Sequence, residues 1–149
     1  ITHYETALGK YVVLTSFIPM LMDTGGNAGG QASVTIIRGL SLSEIEFKDI
    51  FKVIWKEMRV AVFCGITLAV ANFTKIMLID HVTVTVALVV CLTLVIAVFF
   101  AKLVGCTLPM LAQKIGFDPA VMASPFITTI VDALSLMIYF TIATRMLNI

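Results

Sequence analysis

The longest uncharged stretch of the chain runs from Val82 to Ala101 and reads VTVTVALVVCLTLVIAVFFA. A helix needs about 20 apolar residues to cross a hydrocarbon core of about 30 Å, and only helices and closed barrels satisfy their backbone there. Valine and threonine favour strands in water, but the length of this stretch outweighs that preference. The pattern therefore predicts a transmembrane helix over about residues 82–111, continuing past Lys102 toward Pro109.

The composition of the whole chain also indicates a lipid environment. Of 149 residues, 60% are hydrophobic and 13% are charged, with a mean hydropathy of +1.06, whereas soluble domains carry about 45–50% apolar and about 25% charged residues. The formal net charge of +1 lacks the basic excess typical of nucleic-acid binding. Cys64, Cys91 and Cys106 lie in apolar stretches without metal-ligand spacing, which predicts small buried side chains rather than disulfides.

Three further transmembrane helices are predicted, over about residues 7–38, 58–78 and 124–147. The last opens with Ser124 as the N-cap and Pro125 at the first helical position. The first carries four glycines between Gly25 and Gly30, which predict a helix weakened or interrupted near mid-membrane depth. The predicted fold is therefore an all-α polytopic membrane protein.

Between the first two of these spans, residues 43–57 are predicted to form an amphipathic helix at the membrane interface. Ser43 and Glu46 have the S-x-x-E spacing of a capping box, which would start this helix. An ordinary solvated helix face is the alternative interpretation. The apolar side consists of Phe47, Ile50, Phe51, Ile54, Trp55 and Met58, and the charged side of Lys48, Lys52, Lys56 and Glu57.

The distribution of lysine and arginine predicts how the chain lies in the membrane. Seven of the ten cations fall on one side of the predicted spans, five of them between Arg38 and Arg59. Because cytoplasmic connections are enriched in lysine and arginine, that side is predicted to face the cytoplasm. We expect a multi-pass protein of the inner (plasma) membrane.

Asp132 is the one carboxylate in the last predicted span. A charged side chain there costs about 2.5–3.5 kcal/mol on insertion scales, so it usually faces a protein interior or a water-filled path. An aspartate satisfied by a neighbouring hydroxyl or amide is the alternative. The same helical face carries Pro125, Thr128, Thr129, Ser135 and Tyr139.

The glycine-rich stretch in the first span has two interpretations. Gly26 and Gly30 have the small-xxx-small spacing that lets helices pack closely. Alternatively, an interrupted backbone would expose carbonyl groups, and the Asn27 amide could hold water or a cation. With Asp132 and Gln31, these groups are oxygen ligands without a thiolate, which suits Mg²⁺ or Ca²⁺. One carboxylate per chain suffices if a two-fold axis pairs two copies, because Mg²⁺ is often held through its waters.

Two distinctive segments stand out in the chain. The first runs from Pro19 to Gln31 and is followed by Arg38-Gly39-Leu40; the second comprises Gly116–Ala120, Ser124-Pro125-Phe126 and Thr128–Asp132. In their order and separation, these segments resemble the signature of the MgtE family of magnesium channels. The resemblance extends over nearly the whole chain.

Members of that family are homodimers with five transmembrane helices per subunit, preceded by cytoplasmic magnesium-sensing domains. The resemblance implies that residues 1–149 form the transmembrane pore domain, with helices two to five and without the first helix or the sensors. It also implies a pore along the dimer axis, lined by the second and fifth helices of each subunit.

The same resemblance implies roles for individual residues. The selectivity carboxylate of the family falls on Asp132, where paired copies would hold a hydrated Mg²⁺. The pore-lining asparagine of the G-G-N motif falls on Asn27, and the position one turn before the selectivity carboxylate falls on Thr128. The expected pore lining also includes Thr24, Gly26, Ser124 and Ser135. Members often carry asparagine where this chain has Ser124, and a second asparagine where it has Gly30.

The leading hypothesis is a magnesium channel whose partners are a second copy of the chain, membrane lipid and Mg²⁺. An ion-coupled exchanger is the first alternative, because broken helices at the midplane are typical of such transporters. An intramembrane aspartyl protease would use Asp23 and Asp132 as its acid–base pair, but Asp23 is expected at the apolar-to-glycine junction rather than opposite Asp132. A membrane anchor that dimerises through its glycines is the last alternative. Because a channel is the leading hypothesis, we expect no enzymatic activity.

Asp118 precedes Pro119 in a short connection and is most simply a turn residue. Attraction of cations at the inner mouth of a pore is its alternative role.

Overall fold

A computed structural model of the chain describes residues 12–122 and 125–148, and its regular structure over these residues is entirely helical. The prediction of an all-α fold is confirmed. The four long helices are α1 (Val13–Ser41), α2 (Ile50–Lys75), α3 (Val84–Lys114) and α4 (Pro125–Leu147). Single turns of 3₁₀-helix cover Phe47–Asp49 and Pro119–Met122, and a π-helical turn covers Ile76–Asp80.

Within the described residues, three helical stretches are long and apolar enough to cross a membrane. They are Phe47–Asp80, Val84–Lys114 and Pro125–Leu147. With 29 residues, α1 is also long enough, but Asp23, Asn27 and its glycines lower its hydropathy. That α1 crosses the membrane therefore stays a prediction.

The predicted interfacial helix is not separate from the second span. A single helical rod runs from Phe47 to Asp80 without a break. The rod also begins four residues later than expected, because the amides of Glu44 and Ile45 donate to the Gly39 carbonyl at 2.9 and 3.2 Å. The capping box predicted at Ser43 is therefore wrong, and Glu46 N–H instead donates to Asp49 Oδ2 at 3.2 Å.

The glycines of α1 do not interrupt the helix, so the prediction of a break there is wrong. They bring the helix against its neighbours. A methyl group at Gly29 would lie 3.1 Å from the Ala101 carbonyl oxygen of α3, and one at Gly105 would overlap the Gly29 carbonyl. Close packing is therefore observed, but through Gly25, Gly26 and Gly29. Gly30, the expected partner of Gly26 in the small-xxx-small pattern, is half-buried and lines a cavity instead.

Apolar clusters hold the helices together at both ends of the bundle. One joins α1, α3 and α4 around Leu14, Leu21, Val90 and Phe140, and the other joins α1, α2 and α3 around Ile36, Val53 and Met110. A third, smaller cluster joins α3 and α4 around Ala101, Ile127 and Val131. At the first cluster, the buried Tyr139 hydroxyl donates to the Leu14 carbonyl at 2.9 Å. Cys91 and Cys106 are buried and Cys64 is half-buried, all three as free thiols.

A buried ion pair joins α2 to α3. Lys102 Nζ lies 3.2 Å from Glu57 Oε2, and both side chains are about nine-tenths buried, with 11% and 9% exposed. The sequence assigns Glu57 to the charged outer side of an interfacial helix, and that assignment is wrong. Helical periodicity identifies a polar position but does not show that a second helix covers it.

Removing one partner of this pair should destabilise the bundle. We expect Lys102→Met to cost about 3–5 kcal/mol, because it leaves the Glu57 carboxylate buried without a counter-charge. The double variant Glu57→Gln/Lys102→Met should regain most of that loss. Melting temperatures in detergent measure both effects.

The matched control is Lys48→Met, because Lys48 forms an exposed ion pair with Glu46. Such pairs contribute about 0–1 kcal/mol, so its melting temperature should stay close to that of the wild type. A Lys102→Met variant as stable as the wild type would contradict the expected role of the buried pair.

Candidate ion-binding groove

A line of polar side chains follows one face of α1. Asp23, Asn27, Gln31 and Thr35 are spaced four residues apart and are all exposed. Residues at this spacing share one face of a helix. They form one wall of a groove whose other wall is α4, with Thr128 facing into it.

The groove consists of two adjoining cavities that share Gly26, Asn27 and Thr128. The larger, of about 510 Å³, extends along α1 toward Thr35. The smaller, of about 150 Å³, is the acidic part and is lined by Met22, Asp23, Gly26, Asn27, Thr128 and Asp132.

The acidic cavity brings Asp23 and Asp132 together from different helices. The expectation that Asp23 lies away from Asp132 is wrong. Asp132 is half-buried and Asp23 is exposed. Over residues 12–122 and 125–148, neither carboxylate forms an ion pair with a lysine, arginine or histidine.

Two glycines set the separation of the groove walls. A methyl group at Gly26 would lie 3.3 Å from Thr128 Cγ2 and 3.5 Å from Asp132 Oδ1. One at Gly25 would lie 2.8 Å from Ser135 Oγ. The backbone of α1 therefore rests directly on the side chains of α4, and this contact brings the two aspartates to the same cavity.

The remaining residues predicted to line a pore are placed differently. Ser135 of α4 is 1% exposed and packs against Gly25 of α1, outside both cavities. Thr24 is half-buried on α1 and does not line either cavity. Ser124 lies outside the described residues.

Asp118 lies apart from the groove, in the connection between α3 and α4. It is exposed, and its Oδ1 accepts the Ala120 amide at 2.9 Å. This hydrogen bond is what a turn residue makes. Its attraction of cations stays a prediction.

Thr35 is a polar groove residue that sequence reasoning missed, and Met22 and Val34 are apolar ones. Thr35 lines the larger cavity together with Gly30, Gln31 and Val34. The four-residue spacing that begins at Asp23 was the signal that could have identified Thr35.

The polar side chains that line the groove offer oxygen ligands: two carboxylates, the side-chain amides of Asn27 and Gln31, and the hydroxyls of Thr35 and Thr128. Within the described part of the chain, no cluster of three or more histidine, cysteine, aspartate or glutamate side chains could hold a metal. Such a ligand set suits a hard cation that keeps part of its hydration shell rather than a fully coordinated Zn²⁺.

Long apolar helices around an acid-lined polar groove are typical of membrane proteins that transport cations. Comparison with known proteins identifies the family. The family model MgtE, described as a divalent cation transporter, matches residues 18–142. The chain therefore belongs to the MgtE family.

Curated relatives support the assignment. The chain is 36% identical over 145 residues to the magnesium transporter MgtE of Thermus thermophilus, covering 97% of this chain and 32% of the relative. It is 34% identical over 148 residues to the magnesium transporter MgtE of Bacillus subtilis, covering 99% of this chain and 33% of the relative. The chain thus spans about a third of the length of these relatives.

The position of Ser135 can be tested by removing its hydroxyl. Its Oγ is buried without a hydrogen-bond partner among the described residues, and a buried unpaired polar group costs about 1–3 kcal/mol. We expect Ser135→Ala to leave the melting temperature unchanged or raised, with cation transport unchanged.

Tyr139→Phe is the matched control, since it deletes a buried hydroxyl of α4 that has a partner, the Leu14 carbonyl. It should cost about 1 kcal/mol. Loss of transport in a stable Ser135→Ala variant would instead place Ser135 in the ion path.

Proposed function

We propose that this chain forms the Mg²⁺ pathway of a magnesium channel, with a hydrated Mg²⁺ held at Asp132. The observation that carries the proposal is the acidic cavity, where Asp132 and Asp23 meet without a basic partner among the described residues. The curated relatives are named magnesium transporters, which supports Mg²⁺ as the ion.

The electrostatics of the cavity support a cation as its occupant. Carboxylates at membrane depth are costly unless they are paired or hydrated. Because the two aspartates face the same cavity, their charges repel each other, and a divalent cation between them would relieve that repulsion. This argument favours a divalent ion over a neutral solute or an anion.

The size of the cavity supports a hydrated ion. The acidic cavity, of about 150 Å³, has room for several waters. Mg²⁺ dehydrates reluctantly and usually keeps several of its waters. The cavity of one chain therefore suits part of a hydration shell, and a second copy would supply the remainder.

The exposed surfaces of the helices support a homodimer. The polar line of α1, from Asp23 to Thr35, is exposed in the single chain. The exposed face of α2 is apolar instead, with Phe63 and Val70 among its residues. Because lipid suits the second surface and not the first, we propose that two copies meet across the groove and enclose the pore between their α1 and α4 helices.

In this arrangement α1 also crosses the membrane, which gives the chain four membrane spans in total. The protein is a multi-pass protein of the plasma membrane, and its end that carries Arg38 to Arg59 faces the cytoplasm. We also propose that Asp118, in the connection between α3 and α4, attracts cations at that end.

Passive conduction is preferred over coupled exchange. The exchanger hypothesis was motivated by a broken helix at the midplane, and α1 is continuous. The proximity of Asp23 to Asp132 would suit an aspartyl protease. However, the family consists of transporters rather than enzymes. Mg²⁺ flux that continues without a counter-ion would support conduction, and flux that requires one would contradict it.

Asp132 should be essential for transport. We expect Asp132→Asn and Asp132→Ala to abolish Mg²⁺ uptake into liposomes, because each removes the half-buried carboxylate from the cavity. The control is Glu44→Gln, which removes an exposed carboxylate in the connection after α1. Normal uptake by a well-inserted Asp132 variant would refute the proposed ion site.

Asp23 should strengthen ion binding without being essential. Because Asp23 is more exposed than Asp132, water screens its charge more strongly. We expect Asp23→Asn to raise the half-saturating Mg²⁺ concentration roughly tenfold, the ratio that corresponds to about 1.4 kcal/mol, and Asp23→Glu to restore most of the affinity. Concentration-dependent flux measures both variants. An Asp23→Asn variant with unchanged affinity would exclude Asp23 from the ion site.

A further inference from the structure

Two grooves on the outer face of the bundle meet at Arg59. This part of α2 lies away from the ion-binding groove and contributes nothing to it. The first groove, of about 430 Å³, is lined by Trp55, Met58, Arg59, Val62 and Phe99. The second, of about 500 Å³, is lined by Lys56, Arg59, Val60 and Phe63.

The cations at this junction are not neutralised. Lys56 and Arg59 are both exposed, and neither forms an ion pair with a described residue. Four lysines of the described chain have carboxylate partners, whereas Arg38, Lys114 and Arg145 have none: Lys48 pairs with Glu46, Lys52 with Asp49, Lys75 with Asp80 and Lys102 with Glu57. The junction therefore combines two free positive charges with two largely apolar grooves.

The apolar surface continues from Arg59 along α2 for the length of one lipid leaflet. Phe63, Ile66 and Val70 are 77%, 53% and 62% exposed and share one helical face. At 1.5 Å per residue, Val70 lies about 16 Å along the helix from Arg59. Half of a hydrocarbon core of about 30 Å is about 15 Å, so an acyl chain beside this face would have its headgroup at Arg59.

We propose that this surface is a binding site for an anionic diacyl phospholipid. Lys56 and Arg59 bind the headgroup phosphate, and the two grooves each hold one acyl chain. The guanidinium of arginine donates in a fork that matches phosphate geometry. Trp55 beside the first groove suits the level of the lipid headgroups, where tryptophan is enriched.

The charge of the site favours an anionic lipid over a zwitterionic one. A phosphatidylcholine headgroup carries its own positive charge, which would leave Lys56 and Arg59 unneutralised. A net negative headgroup such as that of phosphatidylglycerol neutralises one of them and lies within reach of the other. The inference depends on the membrane location of the family and not on the proposed ion pathway.

The test compares two lipids on the delipidated chain in detergent. Native mass spectrometry and melting temperature measure binding of dioleoyl phosphatidylglycerol and dioleoyl phosphatidylcholine. We expect the wild type to bind phosphatidylglycerol roughly thirtyfold more tightly, since each of the two basic residues near the lipid surface contributes roughly fivefold. Equal affinity for the two lipids would overturn the proposal.

Matched variants assign the preference to this site. Lys56→Gln/Arg59→Gln should lose it, whereas Lys48→Gln/Lys52→Gln, which removes the same charge from the same rod, should keep it. Loss in both variants would show a general charge effect and overturn the proposal. If the first variant is unstable, Lys56→Gln/Arg59→Lys removes only one of the two charges and should reduce the preference for phosphatidylglycerol. An undiminished preference would refute the site.

A water-soluble headgroup separates the contribution of the grooves from that of the charges. Glycerol 3-phosphate carries the anionic group without acyl chains, and we expect no shift in melting temperature at concentrations where phosphatidylglycerol saturates. Displacement of the lipid by glycerol 3-phosphate at equal concentration would show that the grooves hold no acyl chain.

Discussion

The structure depends on a direct contact between helix backbones. Gly29 of α1 and Gly105 of α3 leave no room for a side chain between them. Lipid tails are as apolar as leucine, so helices in a membrane gain little from burying apolar surface and associate mainly through close packing. The same glycine-rich stretch sets Gly25 and Gly26 against α4. As a result, the segment that holds α1 in the bundle also determines the width of the acidic cavity.

The bundle separates its polar groups according to the partner that each requires. Lys102 and Glu57 neutralise each other between α2 and α3, and Tyr139 uses a backbone carbonyl of α1. Asp23 and Asp132 have no such partner in the described chain. Buried polar groups that are already satisfied hold a fold together, whereas carboxylates without a partner leave binding capacity for a ligand. This difference separates the charges that stabilise the bundle from the carboxylates that we propose bind Mg²⁺.

Hydropathy predicted where the helices lie in the sequence, but not which side chains they bring into contact. The uncharged stretch from Val82 predicted α3, and Pro125 correctly marked the start of α4. The break expected at the glycines is absent because close packing compensates for their low helix propensity. Neither the burial of Glu57 nor the approach of Asp23 to Asp132 could be predicted, since both depend on how separate helices are rotated against one another. Sequence periodicity identifies a face but not the helix that covers it.

The unbroken rod from Phe47 to Asp80 has a mechanical consequence. Its 34 residues extend about 51 Å at 1.5 Å per residue, roughly 20 Å more than the hydrocarbon core. Without a joint at the membrane surface, the protruding end cannot swing independently of the embedded part. We therefore expect a displacement at Phe47 to move Glu57 with it and to reach α3 through the ion pair with Lys102. The glycines of α1 pack against that same helix.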